Sequence, residues 1–121
     1  MNETVASPRM DASEEPLNKL GDLLAATTGL EFAVLVGSRA INRARPDSDW
    51  DIALQWHNTT PWMQTVGDQE TLRRRIAETL EVSPDRIDLI DLTRANLAMR
   101  ANAAENGCVL KGEDTLAWAH F

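Results

Sequence analysis

Leu17, Leu20 and Leu24 recur at intervals of three and four, which puts them on one face of a helix. Ser13 is placed to cap that helix, and Glu14 and Glu15 set negative charge at the positive end of its dipole. Gly29 is the expected stop. The run "EFAVLVG" is apolar and β-branched, as in a buried strand, and it ends at Gly37. A short helix is expected from Ser38. In "SDWDIALQW" the pattern turns to strict alternation: Asp49 and Asp51 share one face, while Trp50, Ile52 and Leu54 share the other. Residues 57–68 read as a loop. Leu72, Ile76 and Leu80 restore the helical period from about Gln69 onward. "SPD" is a turn and "RIDLIDL" a third strand. Thr93 is expected to cap a longer helix reaching about Ala104, with Asn106-Gly107 as its stop. "CVLKG" is a short extended piece. "TLAWAHF" is either a short apolar helix or a docking tail.

The resulting order, helix–strand–short helix–strand–helix–strand–helix, describes a small α/β domain with helices packed on a sheet. Residues 1–12 carry no period and read as a flexible tail, leaving 13–121 as a single domain. A chain of 121 residues with 43% apolar content supports one modest core.

Charge narrows the choice of partners. The formal net charge is −7, which disfavours a phosphate backbone as a standing partner and favours a basic protein or a metal–nucleotide complex. The single cysteine, Cys108, rules out an internal disulfide and suits a reducing cytoplasm; it reads as a small buried apolar residue. The N-terminus lacks the pattern of a signal peptide, and "FAVLV" is too short to span a bilayer, so no membrane association is expected.

Two local arrangements suggest chemistry. Asp49 and Asp51, at i and i+2 of a strand, point the same way with Cα atoms roughly 6.5–7 Å apart. Two carboxylates on one face repel unless a cation lies between them or one takes a proton. Hard oxygen donors at that spacing suit Mg²⁺, which binds through carboxylates and substrate phosphates, and two such ions can hold both oxygens of an in-line phosphoryl displacement. Gly37-Ser38 complements them: glycine lets the backbone approach a ligand, and the N–H groups of a helix starting there would face an anion. A cradle and a clamp in one segment suit a nucleoside triphosphate with Mg²⁺. A third carboxylate is available from "IDLIDL". Asp88 interrupts the apolar alternation, which is costly unless it is used. Asp91 lies nearer the strand end, where solvation or capping would account for it.

The stretch "GSRAINRARPDSDWDIAL" resembles the signature of the minimal nucleotidyltransferases of the DNA polymerase beta-like superfamily. Gly37-Ser38 is followed after ten residues by Asp49-x-Asp51, Arg39-Ala40 follows the Gly-Ser, and Arg45 to Ser48 precede the aspartate. "IDLIDL" matches the third-carboxylate strand. The resemblance spans roughly residues 15–112. It departs at Asn42, where the family often has glycine and where asparagine tolerates a left-handed backbone, and at Arg43, where the family often has an acid.

The resemblance implies a minimal nucleotidyltransferase fold, α/β (α+β), with a small mixed β-sheet flanked by helices. It implies Asp49, Asp51 and Asp88 as catalytic residues holding Mg²⁺, with two ions expected. It implies ATP as substrate, contacted by Gly37, Ser38 and Arg39. Stand-alone domains of this size resemble the antitoxin of a two-gene pair whose toxin is a HEPN ribonuclease. The implied reaction moves AMP from ATP onto a tyrosine hydroxyl of that toxin, in the cytoplasm. The other readings are an antitoxin that blocks its toxin by binding alone, and a transferase acting on a small molecule.

Other residues read more plainly. Arg73, Arg74 and Arg75 form a solvated helix face. His57 and His120 stand alone, without a paired nucleophile. Trp50 and Trp56 belong to the core or sheet surface, and Trp62 is expected in a loop.

Overall fold

The computed structural model describes residues 14–41, 43–57 and 59–121. The expectations for the tail, for Ser13 as a cap and for the backbone of Asn42 lie outside these residues. Helix α1 covers Glu14–Ala25 and strand β1 Leu30–Val36; a single 3₁₀ turn follows at Gly37–Arg39. Strand β2 is Trp50–Trp56, helix α2 Trp62–Leu80 and strand β3 Ile87–Asp91. Helix α3 is Leu97–Asn106, strand β4 Cys108–Lys111 and helix α4 Leu116–Ala119.

The strands form one mixed sheet in the order β3-β2-β1-β4. β1 runs antiparallel to both β2 and β4, while β2 and β3 are parallel. Parallel neighbours need a crossover, and α2 supplies it.

Alternation splits the core between the two faces of the sheet. Trp50, Ile52, Leu54, Ile87 and Leu89 join Leu20 and Leu24 of α1 and Leu72 and Ile76 of α2 on the first face. Phe32, Val34, Val36 and Ala53 meet Leu92 and Ala103 on the second. β1 is therefore covered on both sides and reads as a continuous apolar run. Each large aliphatic enclosed this way contributes about 1.5–3 kcal/mol. Trp50 and Trp56 both belong to the first core. α4 closes the second: Trp118 and Phe121 meet Phe32 edge-on, each with its ring centroid 5.2 Å from that of Phe32. "TLAWAHF" thus covers the chain's own core.

Three expectations from local pattern are corrected. The loop expected over residues 57–68 is shorter, because α2 already begins at Trp62, after Pro61. Thr65 holds the buried position one heptad before Leu72, and its hydroxyl donates to the Pro61 carbonyl at 3.2 Å. That polar residue disguised the helical stripe. The cap of α3 is Asn96, whose side chain accepts from the Met99 amide at 2.8 Å. Thr93 instead belongs to a turn, its amide donating to Asp91 Oδ1 at 3.0 Å. Cys108 is exposed, not buried, at the start of edge strand β4.

Candidate active site

Glycine at position 37 is required by the backbone. Its φ is +76°, in the left-handed region, and it ends β1 abruptly. A Cβ placed there would meet Asp51 Oδ2 at 2.4 Å. The Gly-Ser turn and the carboxylate of β2 therefore touch. The helix expected from Ser38 is only one 3₁₀ turn, with the Ala40 amide donating to the Gly37 carbonyl at 3.1 Å. Any anion contact there rests on individual N–H groups and the Ser38 hydroxyl rather than on a long helix dipole.

Asp51 and Asp88 are register partners on β2 and β3. Both project to the second face of the sheet, where α3 and α4 lie over β1. Asp51 is half-buried and Asp88 is exposed. Asp49 lies just outside the strand, because β2 begins at Trp50. It nonetheless belongs to the same electrostatic group. Burial pushes the Asp51 carboxyl above the ordinary aspartate range, and the charges of Asp88 and Asp49 push it further, against a smaller opposing pull from Arg39.

The Arg39 side chain is turned toward the loop that follows it. Its Nη2 donates to the Ser48 carbonyl at 2.7 Å and reaches the Arg45 and Pro46 carbonyls at 3.5 Å. The guanidinium lies 4.1 Å from the centroid of the Trp50 ring. Burial and the neighbouring Arg86 lower its pKa, against the opposing pull of Asp49 and Asp51. Arg86 donates in turn to the Asp47 carbonyl. The loop closes on itself as well: the Arg45 amide donates to Ser48 Oγ at 2.8 Å, and the Ser48 amide to the Arg45 carbonyl at 2.9 Å. Two arginines therefore clamp the segment that delivers Asp49. Arg86 gave no signal in the sequence, since a lone arginine before a strand has many uses.

The remaining sequence candidates sit elsewhere. Asp91 caps the turn after β3 and lies within reach of Arg94 at 3.7 Å. Arg74 and Arg75 are exposed, but Arg73 donates to the Ile87 carbonyl and ties α2 to β3. His57 faces Glu31 at 3.7 Å at the opposite end of β2. Trp62 stands on a helix, 54% exposed, with the Arg94 guanidinium 4.9 Å from its ring centroid.

The donor chemistry of the site matches a hard divalent cation. Asp49, Asp51 and Asp88 offer only carboxylate oxygens, and the repulsion that Asp88 and Asp49 exert on Asp51 is what such a cation relieves. Among the described residues, no three His, Cys, Asp or Glu side chains converge as a ready-made cage. Side-chain rotation at the exposed Asp49 and Asp88 would be needed to close one. Among the described residues no helix is long and apolar enough to cross a membrane.

A family model described as "Polymerase beta, Nucleotidyltransferase" matches residues 18–116. Among solved structures, the chain is similar to a toxin–antitoxin crystal structure with AMP-PNP, at 25% identity and a TM-score of 0.65, covering 86% of this chain and 82% of that one. It is similar to a complex of a tri-AMPylated Shewanella oneidensis HEPN toxin with an MNT antitoxin, at 23% identity and a TM-score of 0.60, covering 88% and 81%. An MntA–HepT toxin–antitoxin structure matches at 24% identity and a TM-score of 0.58, covering 88% and 80%. No curated protein matches by sequence.

Proposed function

The chain belongs to the polymerase beta nucleotidyltransferase family, and from that premise we propose that it is an antitoxin that transfers AMP from ATP to a tyrosine hydroxyl of a partner HEPN ribonuclease toxin. One observation carries the reading: Asp51, in register with Asp88, stands against Gly37. A phosphate-approaching turn and a carboxylate pair in contact are the elements of phosphoryl transfer. Two of the similar structures, one holding AMP-PNP and one an AMP-modified toxin, support this chemistry and this kind of partner.

The residues divide the work. The Gly37 and Ser38 backbone and the Ser38 hydroxyl hold the β- and γ-phosphates. Asp49, Asp51 and Asp88 would hold Mg²⁺, with Asp51 central. When bound, Mg²⁺ neutralises phosphate charge and aligns the attacking and leaving oxygens. The tyrosine oxygen bonds to the α-phosphorus, the bond to the β-bridging oxygen breaks, and pyrophosphate leaves. Asp88, the most accessible of the strand carboxylates, takes the hydroxyl proton. Arg39 and Arg86 fix the loop bearing Asp49, so that little reorganisation is left for the reaction itself. An AMP group adds bulk and negative charge to the toxin, which repels RNA from its active site. The acidity of this chain, −7, suits docking on a basic RNA-binding surface.

The test is the intact mass of the neighbouring-gene product after incubation with this protein, ATP and Mg²⁺. AMP-sized additions are expected, and they vanish with the Asp49→Ala/Asp51→Ala variant. A partner silenced without any addition would leave a binding antitoxin in place of the transferase.

A further inference from the structure

Where the loop over residues 45–48 meets the turn between α2 and β3 lies a cavity of about 420 Å³, with Arg39, Asp47, Ser48, Val82, Ser83 and Arg86 among its walls. The proposed mechanism does not use it. Val82 packs on the first core, to which Trp50, under the Arg39 guanidinium, also belongs. The cavity therefore lies on the first-face side, whereas Asp51 and Asp88 project to the second. It is rich in donors. Ser48 Oγ accepts from the Arg45 amide at 2.8 Å, and Ser83 Oγ from the Asp85 amide at 3.3 Å. Each hydroxyl keeps its own hydrogen to donate. Arg39 uses Nη2 on the loop carbonyls, and Arg86 uses Nη1 on that of Asp47. Arg39 Nε is buried without a hydrogen-bond partner. Among the described residues neither guanidinium forms an ion pair, although the chain holds 19 acids to 12 lysines and arginines. Asp47 is exposed and joins the clamp through its carbonyl. The two positive charges act on each other instead. Such a pair calls for an anion as clustered aspartates call for a cation.

We propose that this cavity is a second anion site, which takes the phosphate group of orthophosphate or pyrophosphate, and that the bound anion locks the loop bearing Asp49. A tetrahedral oxyanion has acceptors enough for both guanidinium forks and both hydroxyls. By bridging the arginines it joins the end of β1 to the start of β3 across that loop. Acetate suits the set less well, because its two oxygens lie in one plane and share a single charge. Only the source of pyrophosphate, as the product released by AMP transfer, rests on the reading above. Binding itself does not.

The experiment is a calorimetric titration of the full chain with orthophosphate, pyrophosphate and acetate at constant ionic strength, without nucleotide or Mg²⁺. In the absence of Mg²⁺ the three carboxylates repel phosphate from the Gly37 turn. Wild type is expected to bind the phosphates at one site and acetate at least roughly tenfold more weakly. Tighter binding of orthophosphate assigns the site to the free ion, and the reverse order to the reaction product. Arg86→Gln should weaken both phosphates about tenfold to a hundredfold. Ser83→Ala, at an exposed position, should weaken them about three- to tenfold. Ser38→Ala should leave them unchanged. Hydrogen exchange of the Ser48 amide, which donates to the Arg45 carbonyl, should slow in wild type when phosphate is added. Undiminished phosphate affinity in Arg86→Gln and Ser83→Ala overturns the site, as does a wild type that binds no phosphate or whose Ser48 exchange ignores it. A loss shared by Ser38→Ala moves the anion to the Gly37 turn and overturns it too. Phosphate binding that behaves as expected, in a protein that transfers no AMP to its partner, leaves this site standing and overturns only the transferase.

Discussion

Asp51 stands opposite Asp88 across the parallel β2–β3 pair, and Gly37 packs directly against the Asp51 carboxylate.

Asp51 should link stability to pH. Burial, then Asp88 and Asp49, raise its folded-state pKa. A group raised in this way adds stability that is fully present below its unfolded pKa and is lost as pH rises through the folded value. The ligand-free protein should therefore lose part of its stability as pH climbs from the ordinary aspartate range toward neutrality. Asp51→Asn should flatten that part of the profile and raise the melting temperature at pH 7, while abolishing AMP transfer. Thermal unfolding of both proteins across pH checks this. A variant melting below wild type at neutral pH would contradict it.

Gly37→Ala should damage stability and activity together. The left-handed backbone alone costs an L-residue about 1–2 kcal/mol. The added methyl also displaces Asp51. Urea unfolding and transfer rates measured on one preparation would show both losses. Full activity in the variant would mean that Asp51 has room to move without consequence.

Arg39→Lys should slow transfer while leaving the fold intact. Lysine keeps the charge but can neither fork to the Ser48, Arg45 and Pro46 carbonyls nor stack on Trp50 as a planar group. Loosening the loop misplaces Asp49, at a cost on the order of ten- to a hundredfold in rate. The loss should appear in single-turnover rates at saturating ATP, more than in ATP affinity. A purely phosphate-binding Arg39 would show the reverse split.

Trp118→Ala should destabilise the domain without touching the chemistry. It uncovers Phe32 and removes the stack on Phe121. Roughly 2–3 kcal/mol is expected, less than for a fully enclosed tryptophan. Denaturant titration gives the loss. At temperatures where the variant is folded, its transfer rate should equal that of wild type.

How much of this was legible in the sequence depended on the range of the forces involved. The strands and most of the helices declare themselves through periodicity, because a local pattern decides which face is apolar. Gly37-Ser38 and the Asp49-x-Asp51 spacing are equally local as motifs, although Asp49 turns out to lie on the loop before β2 rather than on the strand. Asp88 showed itself as an acid interrupting an apolar run. α2 started earlier than its pattern because Thr65 fills a buried position with a polar residue that satisfies itself on Pro61. Cys108 looked like core but lies on an edge strand, and edge position is a property of the whole sheet.

The sequence alone determined the candidate carboxylates, the Gly37-Ser38 turn and most of the elements that carry them, since these follow from near neighbours in the chain. Only the tertiary structure decided that Asp88 lies in register with Asp51 and that Arg39 and Arg86 clamp one loop. Those relationships depend on which strands pair and which helix covers which face. Long-range packing settles such choices, and no local pattern encodes them.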